Sequence, residues 1–203
     1  MGLFVLFGIG LSTGLSGAMI PGPLTLYTVS EAFKSGQLAG FKVALGHLLI
    51  EALFVLLVVI GLHDWLVSPA FRNVVVWVGA AGLMIMGGLI LLRVRRMSLT
   101  QTGTIAFQGG PILGGMFFSL TSPGFLIWWG TIGASVFLQG SLAGVPGVAM
   151  VSLGHALADV GWAWFIAFSV ERGRIYCTDR IYRTIMVMIA LSLIMFGAGL
   201  PLR

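Results

Sequence analysis

A histidine and a carboxylate stand four residues apart twice in this chain: His47 and Glu51 within "GHLLIEALF" (46–54), and His155 and Asp159 within "GHALADVGW" (154–162). Both segments are apolar apart from these residues. At i, i+4 the two side chains of each pair share one helix face. A carboxylate at the centre of a membrane-spanning helix costs about 2.5–3.5 kcal/mol on insertion scales, so such residues mark interior cavities or pathways. Desolvation and a neighbouring imidazolium act on it in opposite senses. Either way the group can load and release a proton or a cation. Glu51, Asp159, His47 and His155 are therefore the candidate substrate-binding and coupling residues. The same four form an alternative metal-ligand set for Zn²⁺, Mn²⁺ or Cd²⁺ if all converge on one ion. The bland alternative is a set of hydrogen bonds between packed helices.

A second group of candidates disrupts helices. "IPGP" places Pro21 and Pro23 on either side of Gly22, and "TSPG" places Ser122, Pro123 and Gly124 in a later apolar run. A proline lacks an N–H and clashes with the carbonyl four residues back, which frees the carbonyls of Gly17, Met19 and Ser119. Within lipid such groups need partners or must line a wet cavity. Pro23 suits the first turn of a new helical segment. That segment's N–H groups, near Leu24 and Thr25, would present a positive dipole end to an anion such as a substrate carboxylate. Pro21, Gly22, Pro23, Ser122, Pro123 and Gly124 are therefore candidate substrate-binding positions at helix breaks. A kink repaired by the hydroxyls of Ser12, Thr13 or Ser16 is the competing reading for the first break.

The elements that hold these residues follow from composition. Of 203 residues, 58% are hydrophobic and 8% are charged, and the mean hydropathy is +1.07. A soluble domain carries roughly 25% charged residues, so the solvent here is largely lipid. Apolar runs long enough to cross a bilayer fall near 3–31, 38–62, 72–93, 108–138, 145–171 and 181–201. The polar stretches between them ("EAFKSGQ", "HDWLVSPAFRN", "RVRRMSLTQTGT", "QGSLAG", "ERGRIYCTDRIYR") are too short for a soluble domain. The N-terminal run lacks a positive leader and is expected to remain in the membrane. Lys42 and Glu31 read as interfacial charges, Trp65 and Trp77 as interfacial anchors. Trp128 and Trp129 read as packing residues, and Gly10, Gly14 and Ala18 as a small-residue packing stripe.

With six spans, the loops after the first, third and fifth share a side. They hold Lys34, Lys42, Arg93, Arg95, Arg96, Arg172, Arg174, Arg180 and Arg183, whereas the opposite side holds only Arg72 and Arg203. Cytoplasmic loops retain positive charge, so both termini are expected outside a prokaryotic-type plasma membrane. Basic residues scattered between apolar runs make no nucleic-acid groove. The lone Cys177 excludes a disulfide framework within the chain.

The two His/acid segments align at an offset of 108 residues, and "SGAMIPGPLTLY" (16–27) aligns with "SLTSPGFLIWW" (119–129), with Pro21 matched to Pro123. The chain, one transmembrane domain over 1–203, thus divides into repeats of about 1–97 and 104–203. Three spans per repeat make the second half enter from the opposite side. That is an inverted-topology plan common in secondary transporters, which bind substrate near the midplane. The expected fold is all-α, with six transmembrane helices in two inverted three-helix repeats and with helices 1 and 4 broken at proline.

The "PGP" of the first span, the "GFKVALGHLL" opening of the second and the proline break of the fourth together resemble the lysine-exporter (LysE/RhtB) translocator family. The resemblance covers nearly the whole chain. It implies a six-span exporter of amino acids or related small metabolites coupled to the proton gradient, with no cofactor besides the proton as coupling ion. Where many members carry Asn-Pro in span 4, this chain has Ser122-Pro123. The leading expectation is a proton-coupled amino-acid exporter working by alternating access, the alternative a divalent-cation transporter, and a non-transporting membrane scaffold ranks below both. No loop carries an enzyme's nucleophile–base constellation. A homodimer is compatible with so small a bundle, although no residue argues for one.

Overall fold

The computed structural model describes residues 2–66, 68–96 and 109–199. The ends expected for spans 4 and 6 at 108 and 201, the linker from 97, the repeat boundaries at 97 and 104, and Arg203 lie outside the described residues, as do the side chains of Arg72 and Pro123. The described residues are helical, without a strand. Helix α1 is Leu3–Ala18, α2 Pro23–Ser35, α3 Leu38–Leu57, α4 His63–Leu66 and α5 Pro69–Arg93; α6 is Gly110–Leu120, α7 Pro123–Trp128, α8 Ala134–Ser141, α9 Gly144–Gly173 and α10 Asp179–Gly199. A wider π-helical turn at Trp129–Gly133 joins α7 to α8, whereas α3 and α4 meet across Val58–Leu62 at a kink where Gly61 takes φ 93°.

Four continuous helical stretches are long and apolar enough to cross a membrane: Leu38–Leu62, Pro69–Arg96, Gly144–Tyr176 and Asp179–Gly199. Two bent pairs raise this to six if each counts as one span. In the first, α1 meets α2 at 79°, and in the second, α6 meets the segment Gly124–Ser141 at 58°. Both breaks lie where the prolines require them. Gly22 precedes Pro23 in the first turn of α2 and Ser122 precedes Pro123 in the first turn of α7, where a missing N–H costs nothing. Pro23 and Pro123 each open a new helix, whereas Pro21, which the sequence alignment pairs with Pro123, lies in the break itself.

Two of the carbonyls freed by the breaks, those of Gly17 and Ser119, are used locally. Ile20 N–H bonds to Gly17 O at 3.1 Å and Ser122 N–H to Ser119 O at 3.1 Å. The Ser12 and Thr13 hydroxyls bond to Gly8 and Ile9 carbonyls, and that of Ser16 to Thr13. All lie upstream of the break, so they do not repair it.

The turns are tighter than the polar stretches suggest. In "EAFKSGQ", α2 runs to Ser35, and Gly36 turns the chain at φ 71°. A carboxylate then seals the turn: Gln37 N–H donates to Glu171 Oε2 at 2.8 Å. In "ERGRIYCTDRIYR", helix occupies all but Cys177 and Thr178. Glu31 is buried within the bundle, where α2 lies against α3 and α9, and holds Lys34 Nζ at 2.7 Å. Lys42 is exposed as expected, as are Trp65 and Trp77.

Helix α1 packs along α9, α3 along α6, and α5 along α10. Glycine sets the closeness of the first two pairs, and the contacts are reciprocal. A Cβ on Gly10 would overlap the Val151 carbonyl, and one on Gly115 the Val43 carbonyl. A Cβ on Gly154 would overlap the Phe7 carbonyl, and one on Gly46 the Ile112 carbonyl. Gly10 of the α1 stripe thus packs as expected, and Gly14 faces the His155 ring.

Candidate functional site

These two close helix pairs bring the four side chains together. On α3 the buried stripe includes Val43, Gly46, His47, Ile50 and Glu51, and on α9 it includes Val151, Gly154, His155, Ala158 and Asp159. Gly46 and Gly154 draw a neighbouring backbone against each stripe, which leaves His47 and His155 facing the interior and, one turn on, Glu51 and Asp159. All four are buried, with Glu51 and Asp159 each 5% exposed.

His155 Nε2 lies 2.7 Å from Glu51 Oε1 and 3.3 Å from Asp159 Oδ2. His47 Nε2 lies 3.6 Å from Glu51 Oε1 and 3.9 Å from Asp159 Oδ2. The other face of His47 is fixed by a residue the sequence did not single out: its Nδ1 is 2.8 Å from Ser119 Oγ. That hydroxyl donates to Gly115 O at 2.6 Å, so its oxygen accepts from His47 Nδ1–H. His155 has no such partner. Its Nδ1 makes no hydrogen bond, and its ring stacks on Trp128 at 4.7 Å between centroids. Asp159 Oδ2 also makes no hydrogen bond among the described residues.

Of the four residues, His47, Glu51 and Asp159 offer ligand atoms within 4.8 Å of one another, and His155 is not part of that group. The four-ligand metal set expected from the sequence is therefore reduced to three. His155 Nε2 is nearer both carboxylates than His47 Nε2 is, and it is hydrogen-bonded to Glu51.

The cluster opens onto a cavity of about 70 Å³ lined also by Gly22, Leu24, Thr25, Ser122, Gly124 and Trp128. At roughly 10–15 Å³ per water centre, it takes a few waters or one small ion. A larger crevice of about 520 Å³ lies beyond, lined by Pro21, Pro23, Leu83, Ser192 and Met195. Ile20, Gly22, Ser122, Gly124 and Trp128 border both spaces. Thus Gly22, Ser122 and Gly124 join the central cavity, whereas Pro21 and Pro23 border only the outer crevice. Trp128, read from sequence as a packing residue, lines both spaces. Trp129 packs as expected, fully buried against Phe54 and Phe137.

Buried acids and imidazoles on two packed helices, beside broken helices and a cavity, give the apolar bundle a polar centre. The family profile of LysE type translocators matches residues 15–202. No curated protein and no solved structure gives a match. The chain belongs to the LysE type translocator family, and it is a multi-pass integral membrane transporter.

Proposed function

We propose that the protein is a proton-coupled exporter of amino acids or closely related small zwitterions. The observation that carries this reading is the convergence of His47 and Glu51 from α3 with His155 and Asp159 from α9 on one cavity beside the start of α2. The substrate's ammonium group binds between the Glu51 and Asp159 carboxylates. Its carboxylate is received by the first turn of α2 at Gly22–Thr25, where backbone N–H groups lack intrahelical acceptors. His155, bonded to Glu51, relays or holds the proton that exchanges with the ammonium.

Six spans in two inverted repeats, with both termini outside a prokaryotic-type plasma membrane, complete the proposal. The reciprocal contacts support the repeat: Gly10 meets Val151 as Gly115 meets Val43, and Gly154 meets Phe7 as Gly46 meets Ile112. A 70 Å³ cavity that shares Ile20, Gly22, Ser122, Gly124 and Trp128 with a larger crevice supplies a path along which an alternating-access cycle could open the centre to one side. For the proton to drive export it must favour one of the two access states.

The test is uptake of a panel of radiolabelled amino acids into proteoliposomes under an imposed pH gradient, with the buffers free of metal. Gradient-dependent flux of at least one amino acid, lost in Glu51→Gln and in Asp159→Asn while both variants stay folded, is the expected result. Flux that persists unchanged in both variants would sink the assigned roles.

A further inference from the structure

We propose that His47 Nε2, Glu51 and Asp159 form a binding site for a divalent first-row transition-metal cation, with Ser119 holding His47 in the ligating tautomer. The inference rests on the reading of this cluster as the translocator's cation-binding centre. It adds a second ligand, one that competes with the substrate ammonium for the same carboxylates.

Ser119 sets the tautomer of His47. Its hydroxyl hydrogen is committed to Gly115 O, so Oγ can only accept from His47 Nδ1. With its hydrogen on Nδ1, neutral His47 turns a lone pair on Nε2 toward Glu51 and Asp159. Three ligand atoms then face one another, with His155 Nε2 as the one donor beside them, 2.7 Å from Glu51 Oε1 and 3.3 Å from Asp159 Oδ2. Asp159 Oδ2, on a residue 5% exposed, makes no well-aligned hydrogen bond among the described residues, its nearest donor being His155 Nε2 at 3.3 Å. A histidine whose outer nitrogen is fixed by a hydrogen bond while the inner one faces carboxylates is the arrangement around bound metals.

The spacing agrees. A metal bonded at 2.0–2.2 Å holds neighbouring tetrahedral ligand atoms about 3.4 Å apart. His47 Nε2 stands 3.6 Å from Glu51 Oε1 and 3.9 Å from Asp159 Oδ2, so modest side-chain rotation closes the set. Charge agrees as well. A dication offsets both carboxylates, whereas one ammonium or one proton leaves a net negative charge buried in lipid, which is costly. The imidazole donor selects Mn²⁺, Co²⁺, Ni²⁺ or Zn²⁺ over Mg²⁺ and Ca²⁺. Room for one small ion matches the 70 Å³ cavity. His155 is not a ligand: its Nε2 donates to Glu51 Oε1 and positions that carboxylate.

The experiment titrates Co²⁺ alone into the detergent-purified full chain, following its visible absorption and, in parallel, Zn²⁺ by equilibrium dialysis. One equivalent of saturable binding is expected, with a spectrum that changes from the aqueous ion. Asp159→Asn should abolish it. Ser119→Ala should weaken it by about 10–100-fold, the usual effect of removing such an orienting partner, and Ser119→Thr should restore it. His155→Gln should retain the stoichiometry. Size-exclusion profiles confirm which variants are folded, and Ser119→Ala with its Thr rescue keeps the test decisive if Asp159→Asn is not.

Absence of saturable binding to the wild type, or binding indifferent to both Asp159 and Ser119, would overturn the site. Amino-acid flux measured in EDTA separates the two readings. Flux without metal binding leaves exporter function standing and removes this inference. Metal binding without amino-acid flux does the reverse. Metal binding that inhibits flux, relieved by raising substrate, supports both.

Discussion

His155 Nε2 stands 2.7 Å from Glu51 Oε1, a hydrogen bond between residues 104 positions apart that joins α9 to α3 inside the bundle. It ties the two halves of the chain at the functional cluster, so stability and function can be separated there. Removing only the imidazole leaves a buried acid without its donor, and breaking a buried pair in this way costs about 3–5 kcal/mol. Removing the charge but keeping the acceptor does not.

The first prediction follows from that asymmetry. Glu51→Gln keeps an oxygen facing His155 and should unfold within a few degrees of the wild type while losing gradient-driven flux. His155→Leu should lower the unfolding midpoint by roughly 10 °C, at about 2–4 °C per kcal/mol for a chain of this size. Fluorescence-detected unfolding of both variants in one detergent checks the pair. Equal destabilisation would mean the hydrogen bond does not hold the halves together.

Ser119 yields the second prediction. Its hydroxyl, fully buried, is the acceptor for His47 Nδ1, and Ser119→Ala strands that donor at a cost of about 1–3 kcal/mol. The corresponding place beside His155 is taken by Gly14, which offers no side chain. Ser12→Ala, on an exposed hydroxyl bonded within its own helix, is the control and should cost less than 0.5 kcal/mol. If the two variants unfold alike, Ser119 does not orient His47.

The glycine contacts give the third. Gly46→Ala and Gly154→Ala press a methyl group into the backbone carbonyls of Ile112 and Phe7, and backbone cannot rotate away as a side chain can. Overpacking of this kind costs about 1–3 kcal/mol, against which helix propensity returns about 1 kcal/mol. Gly88, within α5, has open space at its Cβ position, so Gly88→Ala should be neutral or stabilising. A thermal series over the three variants checks the ranking.

How much of this was legible beforehand depended on what membrane burial makes expensive. His47, Glu51, His155 and Asp159 stood out because charge inside apolar runs is rare, and the two proline breaks because a missing N–H in lipid must be accommodated. Ser119 did not stand out. A serine in a helix normally bonds to its own backbone, as Ser119 also does to Gly115, and its meeting with His47 depends on a partner 72 residues away. The removal of His155 from the metal-ligand group was equally hidden, since i, i+4 spacing fixes the face of a helix and not the distance across a cavity. The burial of Glu31 was hidden too, since hydropathy marks a charge near a span's end but not the packing of α2 against α3 and α9 or Lys34 as counter-ion.

Cys177, the single cysteine of the chain, carries the last prediction. It lies between α9 and α10, outside both candidate spans, on the side to which the excess of Lys and Arg assigns the cytoplasm. Burial, with the nearby Asp179 carboxylate as the second cause, pushes its thiol above the ordinary value. Since the thiolate is the reactive form, alkylation should be slow near neutral pH and accelerate as pH rises through that raised value. Asp179→Asn removes one of the two causes, moves the thiol back down and should speed labelling at a fixed pH. A membrane-impermeant maleimide should label Cys177 in inside-out vesicles and spare it in intact cells, with a permeant maleimide labelling both as the control. Labelling from intact cells would place this loop outside and reverse the topology, turning the substrate path around while leaving the buried cluster as it is.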